Sequence, residues 1–264
     1  MQNIKVHLIQ SDIKWAAPEQ NIINYNSIIN TLNEKSDLIV LPEMFSTGFN
    51  MNPSGCYETM DGFSMRWMKE KAASLNCVIC GSLLIKDEPT FVNRFIWMRP
   101  DGSFDYYDKK HLFRITGEHK VFNAGNRKVI TELKGFRFLL QICYDLRFPV
   151  FSRNRYLNGQ YDYDCIIYVA NWPASRSLAW KTLSAARAIE NQSYVIAVNR
   201  IGADINGTAH SGDSAVISPL GEHIAQANAH EQSLLSVELD KEALIMYREK
   251  FKAAADWDNF ELKI

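Results

Sequence analysis

Short apolar segments separated by turn residues recur along the chain, and their periodicity alternates between that of strands and that of helices. The first half predicts the order β-α-β-α-β-β-β, over residues 4–10, 18–35, 37–43, 63–76, 77–85, 93–99 and 104–109. The second half predicts the same order, over residues 136–143, 149–159, 164–171, 177–192, 193–202, 214–221 and 234–240. The repeat lies in the order of the elements and not in residue identity.

Each half predicts a mixed sheet with helices on one face, which leaves the other face apolar and in need of cover. Two such sheets packed face to face give an α/β fold, a four-layer α-β-β-α sandwich with the helices outside. No Gly/Ser/Pro-rich linker separates the halves, so we expect a single domain over residues 1–264. The residues of helix 177–192 that we expect to face the core are Leu178, Leu183, Ala185, Ala186 and Ile189.

The charge and cysteine content exclude several classes of protein. The 264 residues carry 29 basic and 30 acidic side chains, so the basic excess typical of a nucleic-acid partner is absent. No apolar run approaches the ~20 residues of a membrane span, and the N-terminal residues do not resemble a signal peptide. Five cysteines are a poor disulfide framework. We therefore predict a reduced, cytoplasmic protein with no membrane partner.

Three polar residues lie at or just after the ends of predicted strands. Glu43 ends the segment "LIVLPE", Cys143 ends "RFLLQIC", and Lys110 follows "FDYYDK". Ligands of open α/β sheets collect beyond the carboxyl ends of the strands. Because Glu43 and Cys143 occupy related ends of the two halves, we expect them in one cleft.

Cys143 is a candidate nucleophile, although a buried cysteine is more often an inert core residue. It precedes a predicted helix that begins at Pro149, and a helix N-terminus stabilises a thiolate and lowers its pKa. Arg147 and Arg153 add positive charge nearby. A thiolate in that position is a good nucleophile for acyl transfer.

The other polar residues of this group suit the remaining steps of acyl transfer. Glu43 has apolar neighbours and is a candidate general base, although it could instead be a solvated strand-end carboxylate. Lys110 could stabilise the negative charge of a tetrahedral oxygen, or it could be an ordinary surface lysine. Glu118 lies eight residues further on and could orient Lys110 or the base.

Several other patterns do not indicate a site. Cys77 and Cys80 are three residues apart within a predicted strand, so their thiols should point to opposite faces and belong to the core. The six histidines show no paired-ligand spacing, and no glycine-rich nucleotide loop occurs. We expect no metal and no cofactor.

Three alternative functions stay open on the residues alone. Cys143 could use His111 or His119 as its base, as papain-like enzymes do. A metal-dependent phosphodiesterase sandwich could instead use Glu43, Asp213 and His210. The chain could also be a non-catalytic binding protein.

Five segments together resemble the nitrilase superfamily of carbon–nitrogen hydrolases, over nearly the whole chain. They are "LPEMFSTGF" (41–49), "YDKKHLF" (107–113), "GEHKVFNAGN" (117–126), "ICYDLRFP" (142–149) and "NWPASRSLAWKTLSAARAIENQ" (171–192). The resemblance implies the α-β-β-α sandwich and a homodimer or larger homo-oligomer. The C-terminal segment "DWDNFELKI" (256–264) is expected to pack across that interface.

The resemblance also implies a Cys-Glu-Lys triad. Glu43 matches the family's general base, Lys110 its lysine and Cys143 its nucleophile. Glu118 matches the second glutamate that supports the site. The substrate would be a small-molecule amide, attacked by the cysteine and then by water.

Within the superfamily, the first and last of these segments look most like the omega-amidase branch, which hydrolyses the terminal amide of 2-oxoglutaramate or 2-oxosuccinamate. Such a substrate needs a cation for its carboxylate. Arg176 is our candidate, and Arg147 is the alternative, although we expect it in a salt bridge with Asp145 or another carboxylate. The remaining residues expected to line the pocket are Thr47, Phe49, Tyr144 and Trp172. An aliphatic amidase, an N-carbamoyl amide hydrolase or a nitrilase would use the same triad.

Overall fold

The structure is a computed structural model that describes residues 2–263. The helices are α1 (Pro18–Ile29), α2 (Phe63–Leu75), α3 (Pro149–Ser152), α4 (Ser177–Asn191) and α5 (Lys241–Lys250). The strands are β1 (Ile4–Gln10), β2 (Leu38–Val40), β3 (Val78–Asp87), β4 (Thr90–Met98), β5 (Phe104–Asp108), β6 (Ile130–Leu133), β7 (Phe136–Ile142), β8 (Tyr156–Leu157), β9 (Gln160–Tyr161), β10 (Cys165–Ala170), β11 (Tyr194–Asn199), β12 (Ile201–Ala203), β13 (Ala209–Ser211), β14 (Ala215–Ile217), β15 (His223–Gln226) and β16 (Ser233–Leu239).

Two six-stranded sheets form the centre of the molecule. The first has the strand order β16-β1-β2-β3-β4-β5, and the second has the order β15-β14-β11-β10-β7-β6. Both sheets are mixed, because β1, β2 and β3 run parallel, as do β7, β10 and β11, while the outer strands run antiparallel. The carboxyl ends of the parallel strands form one edge in each sheet, and the candidate residues follow those ends.

Successive side chains of each central strand point to opposite faces of its sheet and so enter different layers. Leu8 of β1 and Leu140 of β7 belong to one fully buried cluster between the sheets. The next residue of β1, Ile9, packs with side chains of α1 and α2, whereas Leu139 packs with Trp180 of α4. Each aliphatic side chain buried in this way contributes about 1.5–3 kcal/mol. The four-layer α-β-β-α sandwich is therefore confirmed.

The same alternation confirms the prediction for the Cys-x-x-Cys pair. Cys77 packs in the cluster on the helix side of the first sheet, and Cys80 packs in the cluster between the sheets. Their thiols are free. Within residues 2–263, no helix is both long and apolar enough to cross a membrane.

The second half departs from the predicted element order at several places: the structure adds the strands β6, β12, β13 and β15, and two predicted elements differ. The helix predicted over 149–159 ends at Ser152, and the hairpin β8–β9 follows it. Asn158 and Gly159 connect its strands with positive φ angles of 52° and 79°, and Asn-Gly is the sequence typical of such a tight turn. The strand predicted over 234–240 is β16, which pairs with β1 in the first sheet instead of completing the second.

Helix α4 turns only part of its predicted apolar face to the core, where Leu183 packs against the buried cluster. Leu178 and Ile189 are 78% and 52% exposed, so placing them in the core was wrong. The inward face carries polar anchors instead: the Trp180 indole donates to the Asp213 carbonyl, and the Arg187 guanidinium donates to the Leu146 carbonyl. Apolar periodicity alone could not reveal these bonds.

Candidate active site

Glu43 and Cys143 are held by sharp turns at the carboxyl ends of their strands. Glu43 comes three residues after β2, and the next residue, Met44, has a φ of 43°. Cys143 comes directly after β7, has a φ of 44° and begins a short 3₁₀ helix, Cys143–Arg147. Positive φ is uncommon for residues other than glycine, and such strained residues cluster at functional sites. The two turns bring Glu43 and Cys143 together, as the sequence predicted.

The Glu43 carboxylate is fully buried and accepts three hydrogen bonds. Its Oε1 atom accepts from Lys109 Nζ at 3.1 Å and from Asn93 Nδ2 at 2.7 Å. Its Oε2 atom accepts from the backbone N–H of Asn171 at 2.7 Å. Donors on both oxygens fix the plane of the carboxylate. Asn93 lies within β4, while Lys109 and Asn171 follow the ends of β5 and β10, so both sheets position this one group.

Lys109 is the lysine of this site. Its side chain is 1% exposed and its Nζ lies 3.0 Å from each carboxylate oxygen of Glu118, in addition to its bond to Glu43. Although burial lowers the pKa of Lys109, the Glu118 and Glu43 carboxylates outweigh it and raise the pKa above the usual value. Burial raises the pKa of Glu118, and Lys109 opposes that effect. Lys109 is thus a permanent cation between two carboxyl groups.

Placing Lys110 in the site was wrong. Lys110 lines a separate surface cleft with His111, Arg114 and His119, and its backbone N–H donates to the Tyr107 hydroxyl. The reason is strand alternation at the end of β5: Tyr107 and Lys109 share the buried side, so Lys110 points away from it. Glu118, by contrast, lies in the site as expected, where it also accepts from the Phe113 backbone N–H.

Cys143 lies on the wall of the cavity, which Glu43 and Lys109 also line, and its side chain is partly exposed. Burial raises the pKa of this thiol well above its usual value, the negative charge of Glu43 raises it further, and Lys109 only partly offsets them. The expected lowering of the pKa by a following helix was wrong, because α3 has only four residues and starts six positions later. These effects favour the protonated form of the Cys143 thiol.

A cavity of about 270 Å³ opens above these residues. Of the residues expected to line it, Phe49, Tyr144, Trp172 and Arg176 do so, together with Glu43, Lys109 and Cys143. Thr47 does not. It is 1% exposed, its hydroxyl donates to the Gly48 carbonyl, and it lies behind the wall.

Two arginines of the cavity wall stack on aromatic rings. The guanidinium of Arg147 lies 4.9 Å from the Trp172 ring centre, and that of Arg176 lies 5.3 Å from the Phe113 ring centre. The expected salt bridge from Arg147 to Asp145 was wrong, because Asp145 is occupied by Tyr107 and His111 at 2.7 Å each. Within residues 2–263, neither guanidinium is paired with a carboxylate.

The residues of the two alternative sites, a histidine base for Cys143 and a metal site, have other partners in the structure. His111 bonds to Asp145 and stacks on Phe148, away from the Cys143 thiol, and His119 lines the same outer cleft. Asp213 is engaged by Ser177 and Ser211. No cluster of three acidic, histidine or cysteine side chains in the described part of the chain could hold a metal ion.

A family comparison agrees with this geometry. The family model described as carbon-nitrogen hydrolase matches residues 5–249. The chain belongs to the carbon–nitrogen hydrolase family. It is therefore related to hydrolases that act on carbon–nitrogen bonds other than peptide bonds.

Individual proteins and solved structures are similar to this chain over nearly its whole length. An omega-amidase, YafV, from Escherichia coli is 46% identical over 262 residues, covering 99% of this chain and 100% of that protein. A 2-oxoglutaramate amidase from Bacillus subtilis is 30% identical, covering 95% of this chain and 96% of that protein. A CN-hydrolase superfamily protein from Xanthomonas campestris, solved with an arsenic adduct in its active site, is 42% identical with a TM-score of 0.96, covering 99% of this chain and 100% of that one.

Sequence reasoning missed three polar residues of this carbon–nitrogen hydrolase site. Lys109 could have been found from the alternation of β5. Asn171 follows the end of β10, so the strand-end rule that found Glu43 and Cys143 also applied to it. Asn93 carried no comparable signal, because it lies inside β4 and reaches Glu43 only through the pairing of β3 with β4.

Proposed function

We propose that this carbon–nitrogen hydrolase is an omega-amidase: it cleaves the terminal amide of a small 2-oxo dicarboxylate monoamide, such as 2-oxoglutaramate or 2-oxosuccinamate, to the acid and ammonia. One observation carries the proposal. The cavity that holds the Cys143 thiol beside Glu43 and Lys109 also holds two guanidinium groups without carboxylate partners. The names of the Escherichia coli and Bacillus subtilis relatives support the same substrate class.

The first half of the reaction forms a thioester. Glu43 takes the proton of Cys143, and the resulting thiolate attacks the amide carbon. Lys109 and the backbone N–H of Tyr144 stabilise the negative oxygen of the tetrahedral intermediate. Glu43, now protonated, gives its proton to the amide nitrogen, and the C–N bond breaks as ammonia leaves.

The second half hydrolyses the thioester. Glu43 is a carboxylate again and removes a proton from a water molecule, which attacks the thioester carbon. The C–S bond breaks, the acid product forms and the proton returns to Cys143. Glu118 stays in place and holds Lys109 through both halves. These steps call for no metal and no cofactor, only the amide and water.

Arg147 and Arg176, which have no carboxylate partner among residues 2–263, could bind the carboxylate of the substrate. A guanidinium group in a cavity wall favours an anion, and it binds a carboxylate through two parallel hydrogen bonds. Arg176 is our candidate for this bond, and the finding that Arg147 also faces the cavity makes it a second candidate. A neutral aliphatic amide or nitrile leaves both cations unpaired, so the site favours a carboxylate-bearing amide.

A substrate panel tests the proposal. Ammonia release is measured from 2-oxoglutaramate, glutamine, asparagine, an aliphatic nitrile and an N-carbamoyl amino acid, with Cys143→Ala and Glu43→Gln proteins as controls. We expect the highest kcat/KM for 2-oxoglutaramate and near-background rates in both variants. A preference for any other substrate of the panel would overturn the omega-amidase assignment. Undiminished activity in either variant would overturn the mechanism.

We further propose that the chain, as one domain, forms a homodimer. Leu178 and Ile189 are 11 positions apart in α4, which at 3.6 residues per turn places both on the same outward side of the helix. Because large apolar side chains on one exposed face are typical of an interaction surface, a second copy of this chain is the expected occupant. Light scattering with size-exclusion chromatography should give twice the chain mass, and Leu178→Glu with Ile189→Glu should give a monomer. A monomeric unmodified protein would contradict the proposal.

A further inference from the structure

We infer that Asn93 is a positioning residue that selects which oxygen of Glu43 takes the proton of Cys143. The inference rests on the proposed role of Glu43 as the base. Asn93 lies outside the Cys-Glu-Lys triad and the supporting glutamate. The observation behind the inference is the unequal number of hydrogen bonds on the two oxygens of Glu43.

The two oxygens of Glu43 are not equivalent. Oε1 accepts from both Asn93 Nδ2 and Lys109 Nζ, at 2.7 and 3.1 Å, whereas among residues 2–263 Oε2 accepts only from the Asn171 backbone N–H. A carboxylate oxygen has about two acceptor positions, so Oε1 is saturated and Oε2 keeps one free. The free position on Oε2 is the one that can receive a proton without breaking an existing bond.

A second buried side chain fixes the orientation of the Asn93 amide. The Ser82 hydroxyl accepts from the Met44 backbone N–H at 2.9 Å, and it donates its own hydrogen to Asn93 Oδ1 at 2.8 Å. The amide nitrogen of Asn93 therefore faces Glu43. The reverse orientation would set two acceptor oxygens 2.7 Å apart. Ser82, Asn93 and Glu43 are all fully buried, so water cannot replace any link of this chain.

Asn93 also holds the lysine of the site through its main chain. Its backbone carbonyl accepts from the Lys109 backbone N–H at 2.9 Å, just beyond the paired residues of β4 and β5. One residue therefore positions the base with its side chain and the cation with its backbone. A side-chain substitution removes only the bond to Glu43 and leaves the backbone bond to Lys109 in place.

The bond from Asn93 favours the ionised form of Glu43, because a hydrogen bond donated to a carboxylate stabilises its charge. Without this bond, the ionised carboxylate loses a stabilising donor, and Oε1 gains a free position that competes for the proton. The acid limb of the kcat/KM profile should then move to higher pH. A residue that serves only to pack the core would lower the rate equally at every pH.

The experiment compares Asn93→Leu, which removes the amide at similar volume, with Ser82→Ala, which leaves the amide but releases its anchor. For each protein we measure kcat/KM for 2-oxoglutaramate against pH, and the rate at which iodoacetamide alkylates Cys143, followed on the Cys143 peptide. We expect both acid limbs to move upward by about one pH unit in Asn93→Leu, and by a smaller amount in Ser82→Ala. If Asn93→Leu does not fold, Ser82→Ala still tests the inference.

Asn154→Leu is the matched control. Asn154 is as buried as Asn93, at 1% exposure, but its amide donates to the carbonyls of Tyr163 and Asn191, away from the cavity. We expect its profile to keep the wild-type pH dependence. Profiles of Asn93→Leu and Ser82→Ala that fall without moving would overturn the inference and leave the proposed function intact. An active Glu43→Gln protein would instead overturn the proposed function itself.

Discussion

Lys109 Nζ lies 3.0 Å from both carboxylate oxygens of Glu118. The lysine is 1% exposed and the glutamate is fully buried. A buried cation is tolerated only when it is paired and hydrogen-bonded, and here Glu118 and Glu43 share it. The bond geometry keeps the ammonium at a fixed point beside Glu43 and Cys143.

Replacing Lys109 should abolish amide hydrolysis, whereas replacing its neighbour should not. We expect Lys109→Met to lower kcat/KM at least ~10²-fold, because the oxygen of the tetrahedral intermediate loses its cation. Lys110→Met should stay within about twofold of the unmodified enzyme, because Lys110 lines the outer cleft. Steady-state ammonia release measures both. A larger loss from the Lys110 substitution would return the catalytic role to that lysine.

Replacing Glu118 should cost stability as well as rate. Glu118→Ala leaves Lys109 with one carboxylate partner and leaves the Phe113 N–H unpaired, so we expect a loss of about 3–5 kcal/mol in the free energy of unfolding. Urea denaturation measures it. Glu132→Ala, at an exposed position of β6, is the control and should change the free energy by less than about 0.5 kcal/mol. Equal losses in the two variants would refute the structural role of Glu118.

The arginine that binds the substrate carboxylate should be revealed by KM. We expect Arg176→Met to raise KM for 2-oxoglutaramate at least about tenfold with a smaller change in kcat, because binding to the non-reacting end is lost. A short neutral amide should be hydrolysed equally by the variant and the unmodified enzyme. Arg147→Met is the matched comparison: if it alone raises KM, Arg147 binds the carboxylate and the assignment of Arg176 fails.

His210 should make the protein sensitive to mild acid. Burial lowers its pKa to about 4, and Arg200 contributes to the shift. The unfolded chain, with an ordinary histidine pKa of 6.5, binds more protons between pH 4 and 6.5, so stability falls as the pH falls through that window. His210→Asn should reduce the loss between pH 7 and pH 5 by about 2 kcal/mol in urea unfolding. His223→Asn, at an exposed position, should leave the loss unchanged.

Strand ends were the informative part of the sequence for the site. Glu43 and Cys143 were predicted to meet because each follows a buried strand, and the structure joins them through the same edge of the two sheets. Lys109 was missed in favour of Lys110 because two adjacent lysines look alike until the buried side of β5 is known. Asn93 could not be predicted, because its role depends on the pairing of β3 with β4 and on one serine hydroxyl.

Local patterns predicted the layers but not every partner. The order of the predicted elements indicated two mixed sheets, each with helices on one face. The sequence predicted α3 to be longer than it is. Asn158 and Gly159 are typical of a hairpin turn, but the helical pattern of the preceding residues favoured a helix. Leu178 and Ile189 of α4 were predicted to face the core, because helical periodicity shows which residues share a face of the helix. It does not show which face packs against the sheet.

The pairing of β1 with β16 joins the beginning of the chain to its end. Seven residue pairs, from Ile4 with Leu239 to Gln10 with Ser233, make this ladder. During synthesis, the first sheet therefore stays one strand short until β16, which begins 223 residues after the end of β1, has left the ribosome, and closing so long a loop is slow. The exposed edge of β1 is meanwhile open to pairing with other chains. A truncation that removes β16 should thus harm the half of the molecule that was made first.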